Sequence, residues 1–188
     1  MPKLIVFNNV TLDGYFTGRN GDLSWAHPNP QDAEHNAFIA ENASGGGALV
    51  FGRITYLQMA SYWPTPMAAQ QNPGVAEHMN NLPKVVFSRT LEKADWKNTT
   101  LLRGDLATQM RQLKKTPGPD MAILGSGSLV AQLAPEGLID EYQLLLNPIA
   151  LGQGKTLFEG LKDKLRLKLT KTRPFKNGNV LLCYAPLG

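Results

Sequence analysis

The apolar residues of this chain fall in short runs, each ended by glycine, serine or asparagine. Leu4 to Phe7, Ala48 to Phe51, Lys84 to Phe87, Met121 to Leu124 and Tyr142 to Leu146 are nearly continuous rather than alternating, the pattern of strands covered on both faces. Thr99 to Leu102 is a further candidate strand. A helix is expected to open near Asn29–Gln31, because Pro30 suits a first helical position and Asp32 and Glu34 suit the positive helix end. Ala33, Ala37, Phe38 and Ala40 carry it to the three glycines at Gly45 to Gly47, which end it. Gly52 to Tyr56 opens a second helix, Leu106, Met110 and Leu113 share one face of a third, and Ser128 to Leu133 forms a fourth. Residues 64 to 83 hold Pro64, Pro66, Pro73 and Pro83, which predicts loop with one short helix over Val75–Asn80. Leu165, Leu167 and Leu169 alternate with Lys164, Arg166 and Lys168, predicting a half-buried strand with its polar side to water. That strand, Arg166 to Thr172, turns at Lys176 to Asn179 and returns through Val180 to Tyr184, with Asn177-Gly178 a strong hairpin signal.

Buried strands separated by helices predict an α/β fold of three layers: a mostly parallel central sheet, helices on both faces, and a C-terminal antiparallel hairpin at one edge. With 188 residues and 43% hydrophobic content, one domain over residues 1–188 is the simplest organisation. No run approaches the ~18 apolar residues that span a bilayer, and the apolar run after Lys3 is too short for a secretion signal. Cys183 is the single cysteine, so no disulfide can form within the chain; a reducing cytoplasmic address is expected. The net charge of +4 is mild, and no basic face carries exposed aromatics, so no nucleic-acid partner is expected. His27, His35 and His78 lack metal-ligand spacing, and no metal site is expected. Cys183 reads as a small buried hydrophobe. Ser126 and Ser128 do not form the Gly-x-Ser-x-Gly elbow of a hydrolase.

Ligands of parallel sheets bind beyond the carboxyl ends of the strands. Three strand ends carry suitable chemistry. Gly125, Ser126, Gly127, Ser128 and Leu129 turn a strand into a helix whose first N–H groups suit a pyrophosphate. Gly52, Arg53 and Thr55 start another helix with guanidinium and hydroxyl donors. Ser88 and Arg89 follow a third strand and suit an additional phosphate. Each segment alone also fits an ordinary turn or surface charge; the three together point to a dinucleotide site.

These segments resemble the dihydrofolate reductase family, and most closely the reductase domain of bacterial riboflavin biosynthesis with its stand-alone relatives. Gly52-Arg-Ile-Thr-Tyr56, Val85-Val-Phe-Ser-Arg89 and Ile123-Leu-Gly-Ser-Gly127 carry the likeness. Thr11-Leu-Asp-Gly-Tyr15, Gly137-Leu-Ile-Asp-Glu141 and Leu151 to Phe158 extend it, in order, from Lys3 to Tyr184. The resemblance implies a sandwich of dihydrofolate reductase type and NADPH as hydride donor. Arg53 and Thr55 would contact cofactor phosphates, Ser88 and Arg89 the adenosine 2′-phosphate, and the Gly125–Leu129 turn the pyrophosphate. Ser126 stands where folate-reducing members carry glycine, which leaves the local backbone geometry open.

The implied reaction reduces a small heterocycle or carbonyl compound, of the ribosylamino-uracil reductase type. Dihydrofolate reduction proper, or an NADP-binding sensor without catalysis, are the alternatives. Asp13 is the expected catalytic and substrate-contacting group, with Gly14 beside it. Glu34 is a second catalytic candidate, four residues before Phe38 on one helix face, although the competing reading, that it merely complements the helix start, is the preferred one. Asp22 and Trp25 resemble pocket-lining positions. A homodimer, paired through Leu144–Ile149 and the late hairpin, is the expected assembly.

Overall fold

A computed structural model of the chain describes residues 1–26, 31–44 and 47–187. Its core is an eight-stranded sheet of order β5-β4-β3-β6-β1-β7-β10-β9. β1 (Leu4–Thr11), β3 (Ala48–Gly52), β4 (Lys84–Phe87), β5 (Thr99–Leu102), β6 (Met121–Leu124) and β7 (Glu141–Asn147) are parallel. β10 (Val180–Pro186) runs antiparallel between β7 and β9 (Leu167–Pro174). β2 (Tyr15–Thr17) and β8 (Lys155–Thr156) form a separate two-stranded ribbon.

The continuous apolar runs are explained by how each strand divides its side chains between two layers. In β3, Ala48 and Val50 enter one core while Leu49 and Phe51 enter another. In β4, Val85 and Phe87 join the first core and Val86 the second. With both faces covered, a strand has no reason to alternate polar and apolar positions. The first core lies under α5 (Leu106–Lys115) and α6 (Gly127–Leu133). The opposite face carries two cores: Phe51, Tyr56, Met79 and Trp96 under α2 (Arg53–Tyr62) and α4 (Pro73–Asn81), and Phe38, Leu145, Phe175 and Leu181 under α1 (Ala33–Ser44).

Three expectations shift. The proline-rich stretch holds two helices, α3 (Pro66–Gln71) and α4, rather than mostly loop. Pro66 and Pro73 each occupy the opening of a helix, where no N–H is needed and the fixed φ is already helical. Thr65 completes the first by accepting the Ala68 N–H at 3.3 Å. The basic, leucine-alternating segment becomes strand only from Leu167, and Leu169 is 49% exposed rather than half-buried, because β9 is the outer strand with no neighbour on one side. α1 begins at Ala33, later than expected, capped by Asp32, whose Oδ1 accepts the His35 N–H at 3.0 Å. Asn29 and Pro30, offered as its start, lie outside the described residues.

Candidate functional site

The carboxyl ends of β3, β4 and β6 open onto one cleft of about 710 Å³. Gly52, Arg53, Thr55, Ser88, Arg89, Ser126, Gly127, Ser128 and Leu129 all line it. The parallel order brings them together: β3 pairs with both β4 and β6, so three strand ends that are remote in sequence become adjacent corners. Gly125, the remaining residue of the turn, sits just behind the wall. Its Asn8 partner accepts the Gly125 N–H at 2.9 Å.

Ser126 ties the corners together. Its hydroxyl accepts the Gly52 N–H at 2.7 Å and donates to Thr55 Oγ1 at 3.1 Å. It therefore joins the start of α2 to the start of α6. The backbone there is tight: Gly125 has φ +64 and Ser126 φ 59, both left-handed. A Cβ on Gly125 would meet Thr55 at 3.0 Å, so glycine serves both torsion and close approach at this one position. Ser126 has no such exemption, and its two side-chain bonds offset the cost of a left-handed non-glycine residue.

Electrostatically the cleft is mixed. Arg53, Arg89 and Lys155 line it together with Asp105 and Glu159. Asp105 is the N-cap of α5, accepting the Thr108 N–H at 2.9 Å. Hydrogen bonds from Thr108 hold its carboxyl below the ordinary aspartate value, and Arg111 and Arg89 add to this. The β2–β8 ribbon also contributes, where Thr17 lines the cleft with a buried Oγ1 that has no partner among the described residues. Gly154 holds this ribbon together, because any Cβ there would collide with the Thr17 carbonyl oxygen. Asp105, Lys155, Glu159 and Thr17 escaped the sequence reading, since none lies in a glycine-marked turn directly after a buried strand.

The substrate-side candidates sit elsewhere. Asp13 is exposed and does not line the cleft. It accepts the Thr11 hydroxyl at 2.6 Å, the Leu151 N–H at 3.0 Å and the Gly152 N–H at 2.7 Å. The Thr11 hydroxyl, followed by the Gly152 N–H, holds its carboxyl below the usual value. That pattern fastens the Thr11–Gly14 turn to the Leu151–Gly152 loop. Glu34 faces Arg173 at 3.9 Å and accepts the Lys176 N–H at 3.4 Å, on the hairpin side of α1. Phe38 is buried, its ring 6.5 Å from Phe7 and 5.1 Å from Phe175. Asp22 and Trp25 belong to the loop after β2, where the Trp25 indole N–H donates to the Asp22 carbonyl at 3.2 Å. Asp13, Gly14, Asp22, Trp25, Glu34 and Phe38 are thus not brought to the cleft wall.

A Bacillus subtilis (strain 168) protein, YyaP, is 30% identical over 182 residues, covering 97% of this chain and 94% of its own length. Among solved structures, a putative riboflavin biosynthesis protein from Shewanella sp. PV-4 superposes with a TM-score of 0.76 at 25% identity, covering 99% of both chains. Dihydrofolate reductase from Enterococcus faecalis, solved in complex with NADP(H) and RAB-propyl, gives a TM-score of 0.67 at 16% identity, covering 99% of this chain and 97% of its own, and shows the shared fold. Residues 2–181 match the model of the RibD C-terminal domain, and the chain belongs to that family.

Proposed function

We propose that this protein is an NADPH-dependent reductase that delivers hydride to a small heterocyclic substrate. One observation carries the reading: Gly52–Thr55, Ser88–Arg89 and Ser126–Leu129 converge on a single cleft. The residues present fit a dinucleotide phosphate. Two helix N-termini, of α2 and α6, open into the same space, and their first N–H groups have no acceptor within the helix. A Cβ on Gly127 would press on the Leu157 carbonyl at 3.2 Å and the Phe16 ring at 3.3 Å, so glycine lets the start of α6 pack closely against these neighbours.

Family membership and the Shewanella relative, whose name places it in riboflavin biosynthesis, support a reductase. The cofactor, when bound, supplies the hydride. The chain's residues bind and orient it. The N–H groups of Gly127 and Ser128 take pyrophosphate oxygens, Arg53 neutralises them, and Ser126 holds the two helix starts at fixed separation. Ser88 and Arg89, at the outer end after β4, take the phosphate that distinguishes NADPH from NADH.

Titrating NADPH and NADH while following tryptophan fluorescence tests this directly. Tighter binding of NADPH is expected. Arg89→Ala is expected to weaken NADPH by about 1.5–3 kcal/mol, the range for a hydrogen bond to a charged group, while leaving NADH nearly unchanged. Equal losses for both cofactors would remove the phosphate assignment.

A further inference from the structure

β4 and β5 lie side by side at one edge of the sheet, and the chain leaves both of them at the same corner of the cleft. Phe87 pairs with Leu102, and the Ser88 N–H donates to the Leu102 carbonyl at 3.0 Å. Ser88–Arg89 and Gly104–Asp105 therefore stand next to each other, and all of them line the cleft. Arg103 pins the two turns together, its guanidinium donating to the Leu91 carbonyl at 2.7 Å and the Glu92 carbonyl at 2.6 Å. The side chains of this corner are thus carried by two turns of fixed separation.

Ser88 and Arg89 present donors. The Ser88 hydroxyl oxygen already accepts the Thr90 N–H at 3.2 Å and the Leu91 N–H at 2.9 Å, so only its proton is left to offer. Arg89 adds a guanidinium, which can only donate. Asp105 presents the opposite chemistry. Its Oδ1 accepts the Thr108 N–H at 2.9 Å, which seats a full negative charge at the end of α5, where an uncapped helix would be positive. Thr108 holds the Asp105 carboxyl below its ordinary value, so it is ionised at neutral pH. Arg89 is near enough to add to this effect, although the two side chains form no ion pair.

We infer that Asp105 is a specificity-determining residue that limits the preference for NADPH over NADH. A phosphate held by Ser88 and Arg89 lies beside the Asp105 carboxylate and is repelled by it, at a range where water and salt screen like charges only in part. A ribose 2′-hydroxyl in the same place carries no charge and can donate to the carboxylate. The carboxylate therefore opposes one cofactor and accommodates the other. This role of Asp105 rests on the proposed placement of the ribose phosphate at Ser88 and Arg89.

Calorimetric titration of NADPH and NADH into wild type, Asp105→Asn and Asp105→Ser tests this. Both substitutions remove the charge and keep a side chain that caps α5. Each is expected to tighten NADPH about three- to tenfold, and NADH by less than about twofold. The gain is Coulombic, so it is expected to shrink to less than about half in roughly 1 M NaCl, where the Debye length falls to about 3 Å. NADPH that binds no more tightly to the variants overturns the role of Asp105. Equal gains for both cofactors, or a gain that survives high salt in full, overturn it as well. If Arg89→Ala still weakens NADPH alone, any of these results leaves the reductase reading standing. A wild type that binds neither nucleotide overturns both.

Discussion

Ser126 shows how much one side chain decides at this site. It takes a left-handed conformation that costs a non-glycine residue, and it holds Gly52 and Thr55 with a single hydroxyl. Removing the hydroxyl in Ser126→Ala leaves the buried Gly52 N–H unsatisfied, which is expected to cost about 1–3 kcal/mol in urea unfolding. Ser126→Gly removes the same bonds but relieves the backbone, so it is expected to be the more stable of the two variants. The reverse order would show that the brace does not govern this corner. Gly154→Ala presses on the Thr17 carbonyl at a φ of +156, and protease sensitivity of the β2–β8 ribbon is the measurement that checks its expected loosening. Asp13 braces backbone in a similar way. Its residue type and turn suggested chemistry, and in the structure its carboxylate accepts from Thr11, Leu151 and Gly152 and so joins two loops.

Among elements, α4 and α5 end or begin on charged side chains that set their stability. Asp105 starts α5, and Asp105→Ala is expected to lower the midpoint of chemical unfolding, whereas Asp105→Asn should retain most of the cap. Lys84, at the start of β4, closes α4: its ammonium donates to the Asn80 carbonyl at 3.1 Å and the Leu82 carbonyl at 2.6 Å, and lies 4.6 Å from the centre of the Trp96 ring. Burial pulls Lys84 down from 10.5 to about 8, with Lys97 adding to the shift. The folded pKa is depressed, so between these values the unfolded chain holds a proton that the folded protein has released. Stability is therefore expected to rise with pH from about 8 towards 10 through this group. Lys84→Met should flatten that rise in thermal melts across the same window, and an unchanged slope would exclude Lys84 as its source.

At the scale of the whole molecule, the cleft is made only when β3, β4 and β6 stand side by side, so cofactor binding should stabilise the assembled sheet as a unit. NADPH at a hundred times its Kd is expected to add about 2.7 kcal/mol to unfolding and to raise Tm accordingly, with Arg89→Ala losing most of that gain. Much of this architecture was legible in the chain. The runs at Ala48–Phe51, Lys84–Phe87 and Met121–Leu124 mark doubly covered strands because burial on both faces demands local apolar continuity, and the turns that follow mark their ends through glycine and serine. Such signals are local, and local sequence carries them. What only the tertiary structure decided is which of these ends meet. Ser126 reaches Gly52 across 74 positions and Thr55 across 71, contacts set by strand order and not by any neighbouring residue. Strand order likewise settles that Glu34 and His35 both meet the hairpin, Glu34 at Arg173 and His35 at Asn179, because a helix face has meaning only against the surface on which it packs.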